Sequence, residues 1–116
     1  MSLSTHVLDT AQGKPAAGMG FSLYWVGGLE RKFMDAYTTN ADGRTDQPLF
    51  ANGEGNGGTW ELEFAVGEYF ASQPVVQDDP PFLNIVTIRF TMKAGQHHYH
   101  VPLLVSPWSY STYRGS

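Results

Sequence analysis

Glycine and proline interrupt this chain at short, near-regular intervals, and most segments between them have room for a strand but not for a long helix. Residues 3–9 alternate around Leu3, Thr5 and Val7, then stop at Gln12-Gly13-Lys14-Pro15, a turn signal. Residues 21–26 are aromatic and β-branched and end at Gly27-Gly28. A third strand pattern covers residues 31–39, before Asn40-Ala41-Asp42-Gly43, where Asp-Gly supplies the positive φ of a tight turn. Residues 59–66 alternate most cleanly. Trp60, Leu62, Phe64 and Val66 share one face and Glu61 and Glu63 the other, as in a half-buried strand. Further strands are predicted at residues 84–92 and 99–105, and a last one at 109–113. Only residues 67–72 read as a helical turn, closed by Pro74. Pro102 interrupts a strand run and cannot donate to a ladder, so an edge or a bulge is expected there. About seven or eight short strands at roughly ten-residue spacing, with no repeat or linker, predict one all-β domain over residues 1–116, a sandwich or barrel.

Length and composition narrow the function. A chain of 116 residues supports one hydrophobic core without a covalent staple. It has no cysteine, which removes disulfides, zinc ribbons, iron–sulfur clusters and thiol nucleophiles. Seven Lys and Arg stand against eleven Asp and Glu, for a net charge of −4. Without a basic run this is a poor nucleic-acid binder. No apolar run approaches the ~20 residues that span a bilayer. The N-terminus has neither the basic nor the apolar part of a signal peptide, so a soluble, cytoplasmic protein is expected.

Several groupings could carry chemistry. Residues 53–58 satisfy G-x-G-x-x-G, but a strand rather than a helix follows, which favours a plain loop. Three of the four histidines fall within Gln96-His97-His98-Tyr99-His100. On a strand, His98 and His100 share a face and His97 takes the other. Such a pair can transfer protons, bind a metal or simply face solvent. Zinc wants three or four protein ligands, and only His6 remains to help, so no metal is expected. His6 sits mid-strand on the face of Ser4 and Leu8, where a structural or solvent-facing histidine is the plainer reading. Arg44, just past the Asp-Gly turn, would ordinarily be a solvated cation. No G-x-S-x-G elbow supports a serine hydrolase. The terminal run, with Tyr110, Tyr113 and Arg114, is richer in aromatics than a frayed chain end and reads as packed.

Six stretches, in order, resemble a known family. They are Ser4-Thr5-His6-Val7-Leu8-Asp9, Gly13-Lys14-Pro15-Ala16, Asp42-Gly43-Arg44, Gly67-Glu68-Tyr69-Phe70, His98-Tyr99-His100-Val101-Pro102-Leu103-Leu104, and Tyr110-Ser111-Thr112-Tyr113-Arg114-Gly115-Ser116. Together they are similar to the 5-hydroxyisourate hydrolase branch of the transthyretin-like family, whose hallmark is the terminal Tyr-Arg-Gly-Ser. Residues 27–37 and the Gly-rich loop at 52–58 depart from the pattern, as does Pro80-Pro81-Phe82-Leu83-Asn84 ahead of its strand. None of these departures touches a matched site position. The resemblance implies a sandwich of two four-stranded sheets with one short helix, assembled as a homotetramer, a dimer of dimers. It implies hydrolysis of 5-hydroxyisourate at its N1–C6 amide to 2-oxo-4-hydroxy-4-carboxy-5-ureidoimidazoline in urate degradation, without metal or organic cofactor.

Carried over by motif, the catalytic positions are His6, Arg44, His100, Tyr113 and Ser116. Arg44, His98, Tyr113, Arg114, Gly115 and Ser116 are expected to bind substrate. Imidazoles suit water activation and proton transfer at His6 and His100. The Arg44 fork suits a carbonyl–amide edge and developing negative charge. The alternative is a non-catalytic transthyretin-like carrier of small ligands, which the presence of His6, Arg44, His100 and the terminal tetrapeptide disfavours. A metal-binding stress or periplasmic protein is weaker still, because ligands and export signal are both missing.

Overall fold

The computed structural model describes residues 2–49, 57–96 and 98–115. In chain order its elements are β1 (Ser2–Ser4), β2 (Val7–Asp9), β3 (Lys14–Pro15), β4 (Gly20–Gly27), β5 (Glu30–Thr38), β6 (Gly58–Ala65), α1 (Val66–Ala71), β7 (Ile85–Met92), β8 (His98–His100), β9 (Leu103–Ser106) and β10 (Ser109–Thr112). One four-stranded sheet runs β5-β4-β6-β7 and the other β10-β9-β2-β3, with β1 and β8 as a separate pair. The apolar positions of the alternating strands meet between the sheets. Phe21, Leu23, Leu62, Phe64, Val86 and Ile88 of one share a core with Val7, Leu103 and Val105 of the other. Phe21 stacks on both Phe64 and Tyr37, with ring centroids 5.2 Å apart in each case. Burying such side chains contributes about 1.5–3 kcal/mol each, which is what makes the period of two decisive.

The helix follows β6 directly and lacks a side-chain cap at its start. Tertiary burial holds it instead: Tyr69 and Phe70 are buried, and the Tyr69 hydroxyl donates to Asp9 Oδ2 at 2.8 Å. Burial and that neighbouring carboxylate push the Tyr69 phenol above its ordinary range. Among the described residues no helix is long and apolar enough to cross a membrane.

Several local expectations change. The predicted strands at residues 3–9 and 99–105 are each broken in two, and the halves run parallel: β1 beside β8, β2 beside β9. Both breaks fall at one level, Thr5-His6 against Val101-Pro102. The ladder crosses them through Val101 N–H to Ser4 O and Leu103 N–H to His6 O, both 2.9 Å. Pro102 has no N–H to offer, and the Thr5 hydroxyl satisfies the Val101 carbonyl at 2.7 Å. The proline therefore sits at an interruption next to the inner strand β9, not on an edge strand. His6 lies in the break rather than mid-strand. Lys14-Pro15, read as part of a turn, pairs back on β2 as β3. Glu61, placed on the solvent face of its strand, is only 5% exposed. Arg31 Nε at 2.7 Å and Arg89 Nε at 2.8 Å clamp its carboxylate and hold it below the usual carboxylate range.

Candidate active site

The parallel register of β1 on β8 sets Ser2 beside His98 and Ser4 beside His100. Because alternate residues share a face, all four side chains project together. Ser2 Oγ lies 2.7 Å from His98 Nδ1, and Ser4 Oγ lies 2.7 Å from His100 Nδ1 and 3.3 Å from His98 Nε2. Tyr99, between the histidines, turns into the core, where its hydroxyl accepts the Lys93 N–H at 2.7 Å.

Arg44 arrives from the loop after β5. Asn40 organises that loop: its side-chain oxygen accepts the N–H groups of Asp42 and Arg44 at 2.9 and 3.1 Å, and its own N–H donates to Arg44 O at 2.7 Å. Gly43 then docks the loop on β2, its carbonyl accepting Val7 N–H at 2.8 Å. Gly43 has φ +74°, and a Cβ there would overlap the Val7 carbonyl. Only glycine meets both demands. The dock is one residue from His6, so a single contact places His6 and Arg44 relative to each other.

The chain end closes the other side. Gly115 N–H donates to His100 O at 2.8 Å, and a Cβ on Gly115 would run into the His100 ring. The resulting open cavity, about 350 Å³, is lined by Ser4, Arg44, His98, His100, Tyr113 and Gly115. His6 is half-buried within electrostatic reach of Arg44 and His100. Burial, reinforced by the Arg44 guanidinium, lowers the His6 imidazole below its ordinary 6.5. Burial first, then Arg44, His6 and His98, lowers His100 likewise. Asp42 opposes this at His6 through its backbone and its carboxylate, but burial and Arg44 prevail, so both imidazoles favour the neutral form beside a guanidinium. Such a set can accept a proton and stabilise a developing oxyanion. Among the described residues no group of three or more His, Asp or Glu side chains could hold a metal ion.

The expected site residues thus largely converge: Arg44, His98, His100, Tyr113 and Gly115 around one cavity, with His6 alongside. Arg114 does not join them. Its guanidinium lies over the Tyr99 ring, 4.3 Å from the centroid, with Nη2 3.5 Å from Gln96 Oε1. Ser116, His97 and most of the glycine-rich loop, residues 52–56, lie outside the described residues. Ser4 was not singled out from sequence as a site residue. Its signal was the Ser-x-His spacing with His6, which shows a partner for His100 only once the parallel register is known.

A family model described as the HIUase/Transthyretin family matches residues 3–115. The chain is 55% identical over 114 residues to a 5-hydroxyisourate hydrolase of Deinococcus radiodurans, covering 98% of this chain and 95% of that one. Among solved structures, (S)-allantoin synthase superposes with a TM-score of 0.92 at 43% identity; the match covers 99% of this chain but only 43% of that longer one. Klebsiella pneumoniae 5-hydroxyisourate hydrolase gives a TM-score of 0.79 at 32% identity, covering 99% and 93% of the two chains. Sea bream transthyretin, solved with thyroxine, shares the fold with a TM-score of 0.86 at 24% identity, over 99% and 95%.

Proposed function

The chain belongs to the HIUase/Transthyretin family, and from that membership we propose that it works in the family's hydrolytic branch, opening 5-hydroxyisourate at its N1–C6 amide. The observation that carries this reading is the pair of neutral imidazoles, His6 and His100, held beside Arg44 at one polar cavity. Water adds its oxygen to C6, and its proton passes to an imidazole. Arg44 offers its fork to the carbonyl oxygen as that oxygen gains charge. The C6–N1 bond then breaks and N1 takes a proton, giving 2-oxo-4-hydroxy-4-carboxy-5-ureidoimidazoline. Atoms balance with water as the only co-reactant. Tyr113 lines the cavity wall, Gly115 fixes the backbone beside His100, and Ser116 keeps the substrate-binding role that the family motif implies.

Residues 1–116 act in this reading as one domain of a cytoplasmic homotetramer. The test is ultraviolet spectroscopy of freshly generated 5-hydroxyisourate. Its absorbance decays faster with the protein than without, and exhaustive chelation leaves that rate unchanged. Binding of the compound without accelerated decay would favour a carrier, and activity lost to chelator and restored by zinc would overturn the cofactor-free mechanism.

A further inference from the structure

The face carried by β1 and β8 holds more than a base. Ser2 Oγ, His98, Ser4 Oγ and His100 form a continuous row of polar contacts, at 2.7 Å, 3.3 Å and 2.7 Å in turn. A hydroxyl has one proton to donate and a neutral imidazole has one N–H. The row is therefore continuous in two senses. In the first, His100 Nδ1–H donates to Ser4, Ser4 to His98 Nε2, and His98 Nδ1–H to Ser2, leaving His100 Nε2 bare. In the second every donor reverses, and His100 Nε2 carries the proton.

We propose that Ser4 and His98 are positioning residues for His100: through Ser4, His98 fixes Nε2 as the basic nitrogen and stores a proton between attack and departure. This rests on the hydrolytic reading above and adds a role for two residues beside the reacting atoms. As water adds to C6, His100 Nε2 takes its proton. The Nδ1 proton moves to Ser4 Oγ while the Ser4 hydroxyl proton moves to His98 Nε2. His98 is then the imidazolium, and His100 is neutral with its proton on Nε2. That proton passes to N1 as the C6–N1 bond breaks, and the row runs back to its first sense. One proton has moved from water to N1, and no other reactant is used.

The surroundings say why the charge belongs on His98. His100 is half-buried, with Arg44 and His6 close enough to disfavour a second positive charge. Among the described residues that line the cavity with His100, none is a carboxylate that could offset a charge on it. His98, between Ser2 and Ser4 in the row, is exposed where His100 is half-buried. Water stabilises an ion there far better than the cavity wall does.

The experiment compares wild type with Ser4→Ala, Ser4→Thr and His98→Gln, reading kcat and KM separately, with and without added imidazole, alongside the ¹⁵N shifts of the His100 ring. The β1–β8 ladder uses backbone groups, so these side-chain changes leave it in place. Ser4→Ala and His98→Gln each lower kcat by about tenfold or more with KM nearly unchanged, as expected when proton transfer is impaired and binding is not. Ser4→Thr, which keeps a hydroxyl, recovers most of kcat, and added imidazole raises kcat of His98→Gln but not of wild type. The ring shifts show the Nδ1–H tautomer of His100 in wild type and its loss in Ser4→Ala. Wild-type kcat in both Ser4→Ala and His98→Gln, or a His100 tautomer indifferent to Ser4, overturns the proposal. A wild type without hydrolytic activity sinks the hydrolase reading instead, and the ring shifts still judge the row.

Discussion

At His6 and His100 the local environment favours the neutral imidazole, and this fixes how the protein responds to acid. Burial is the main cause in both, with Arg44 next. A base of this kind persists to lower pH than a free imidazole would. Over about pH 5 to 8, kcat/KM is expected to be flat on the neutral side and to fall only once the pH drops below the ordinary imidazole value. In Arg44→Ala the remaining activity should lose its acid limb at a higher pH, because one positive neighbour is gone. Unchanged limbs in wild type and variant would show that neither imidazole is the titrating base. Stability follows the same sign. The unfolded chain takes up protons at these two positions before the folded chain does, so stability is full above the unfolded value and declines as pH falls through the folded ones. Replacing either histidine with alanine is expected to cost about 10²–10⁴-fold in the chemical step. Arg44→Lys should be nearly as damaging as Arg44→Ala, since an ammonium cannot present two parallel donors.

The loop from Asn40 to Arg44 shows an element whose purpose is placement. Its glycine is held at positive φ against the carbonyl of Val7, so Gly43→Ala should lose about 1–2 kcal/mol from backbone strain alone. It should lose activity as well, because the displaced loop carries Arg44 away from the histidines. Calorimetry with kcat/KM on the same sample checks both, and a destabilised variant with full kcat/KM would show that the dock does not position Arg44. This turn was legible in sequence because Asp-Gly is a local signal, and so were the strands whose apolar residues alternate, together with the short helix closed by Pro74. The breaks at Thr5-His6 and Val101-Pro102 were only half legible. Pro102 announced an irregularity, but the matching break opposite it follows from parallel pairing between segments over ninety residues apart, which no local pattern encodes. The same pairing hid Ser4, whose partner is unknown until the register is fixed. Glu61 misled for a related reason: alternation gives the face of a strand but not the two arginines that cover it, Arg89 from the adjacent β7 and Arg31 from β5, two strands away. Arg114 follows the same logic, since its choice of the Tyr99 ring depends on where the tail lands.

At the scale of the whole molecule, the site's far wall is made of chain at the margin of one protomer, held on one side by β9 and His100 and open on the other. β10 is an edge strand, and Trp108, Tyr110 and Tyr113 along it and the tail are 48%, 46% and 59% exposed. A folded chain that leaves three large aromatics and an open strand edge in water is incomplete in two ways at once. Packing against further copies of the same chain would cover both, and closed two-fold assembly is the ordinary way to do so. The tail would then be ordered by its bond to His100 and by a neighbouring subunit. Site and tetramer should therefore form together. Removing residues 113–116 takes away the Gly115–His100 bond and Tyr113, yet leaves the core intact, because its last member is Val105. The truncated chain is expected to keep its far-ultraviolet circular dichroism and to lose hydrolysis. Full-length protein diluted until sedimentation shows dimers should lose activity per chain in step with the loss of tetramer. Either a truncated chain with undiminished turnover or a dimer as active as the tetramer would show that one protomer completes the site by itself.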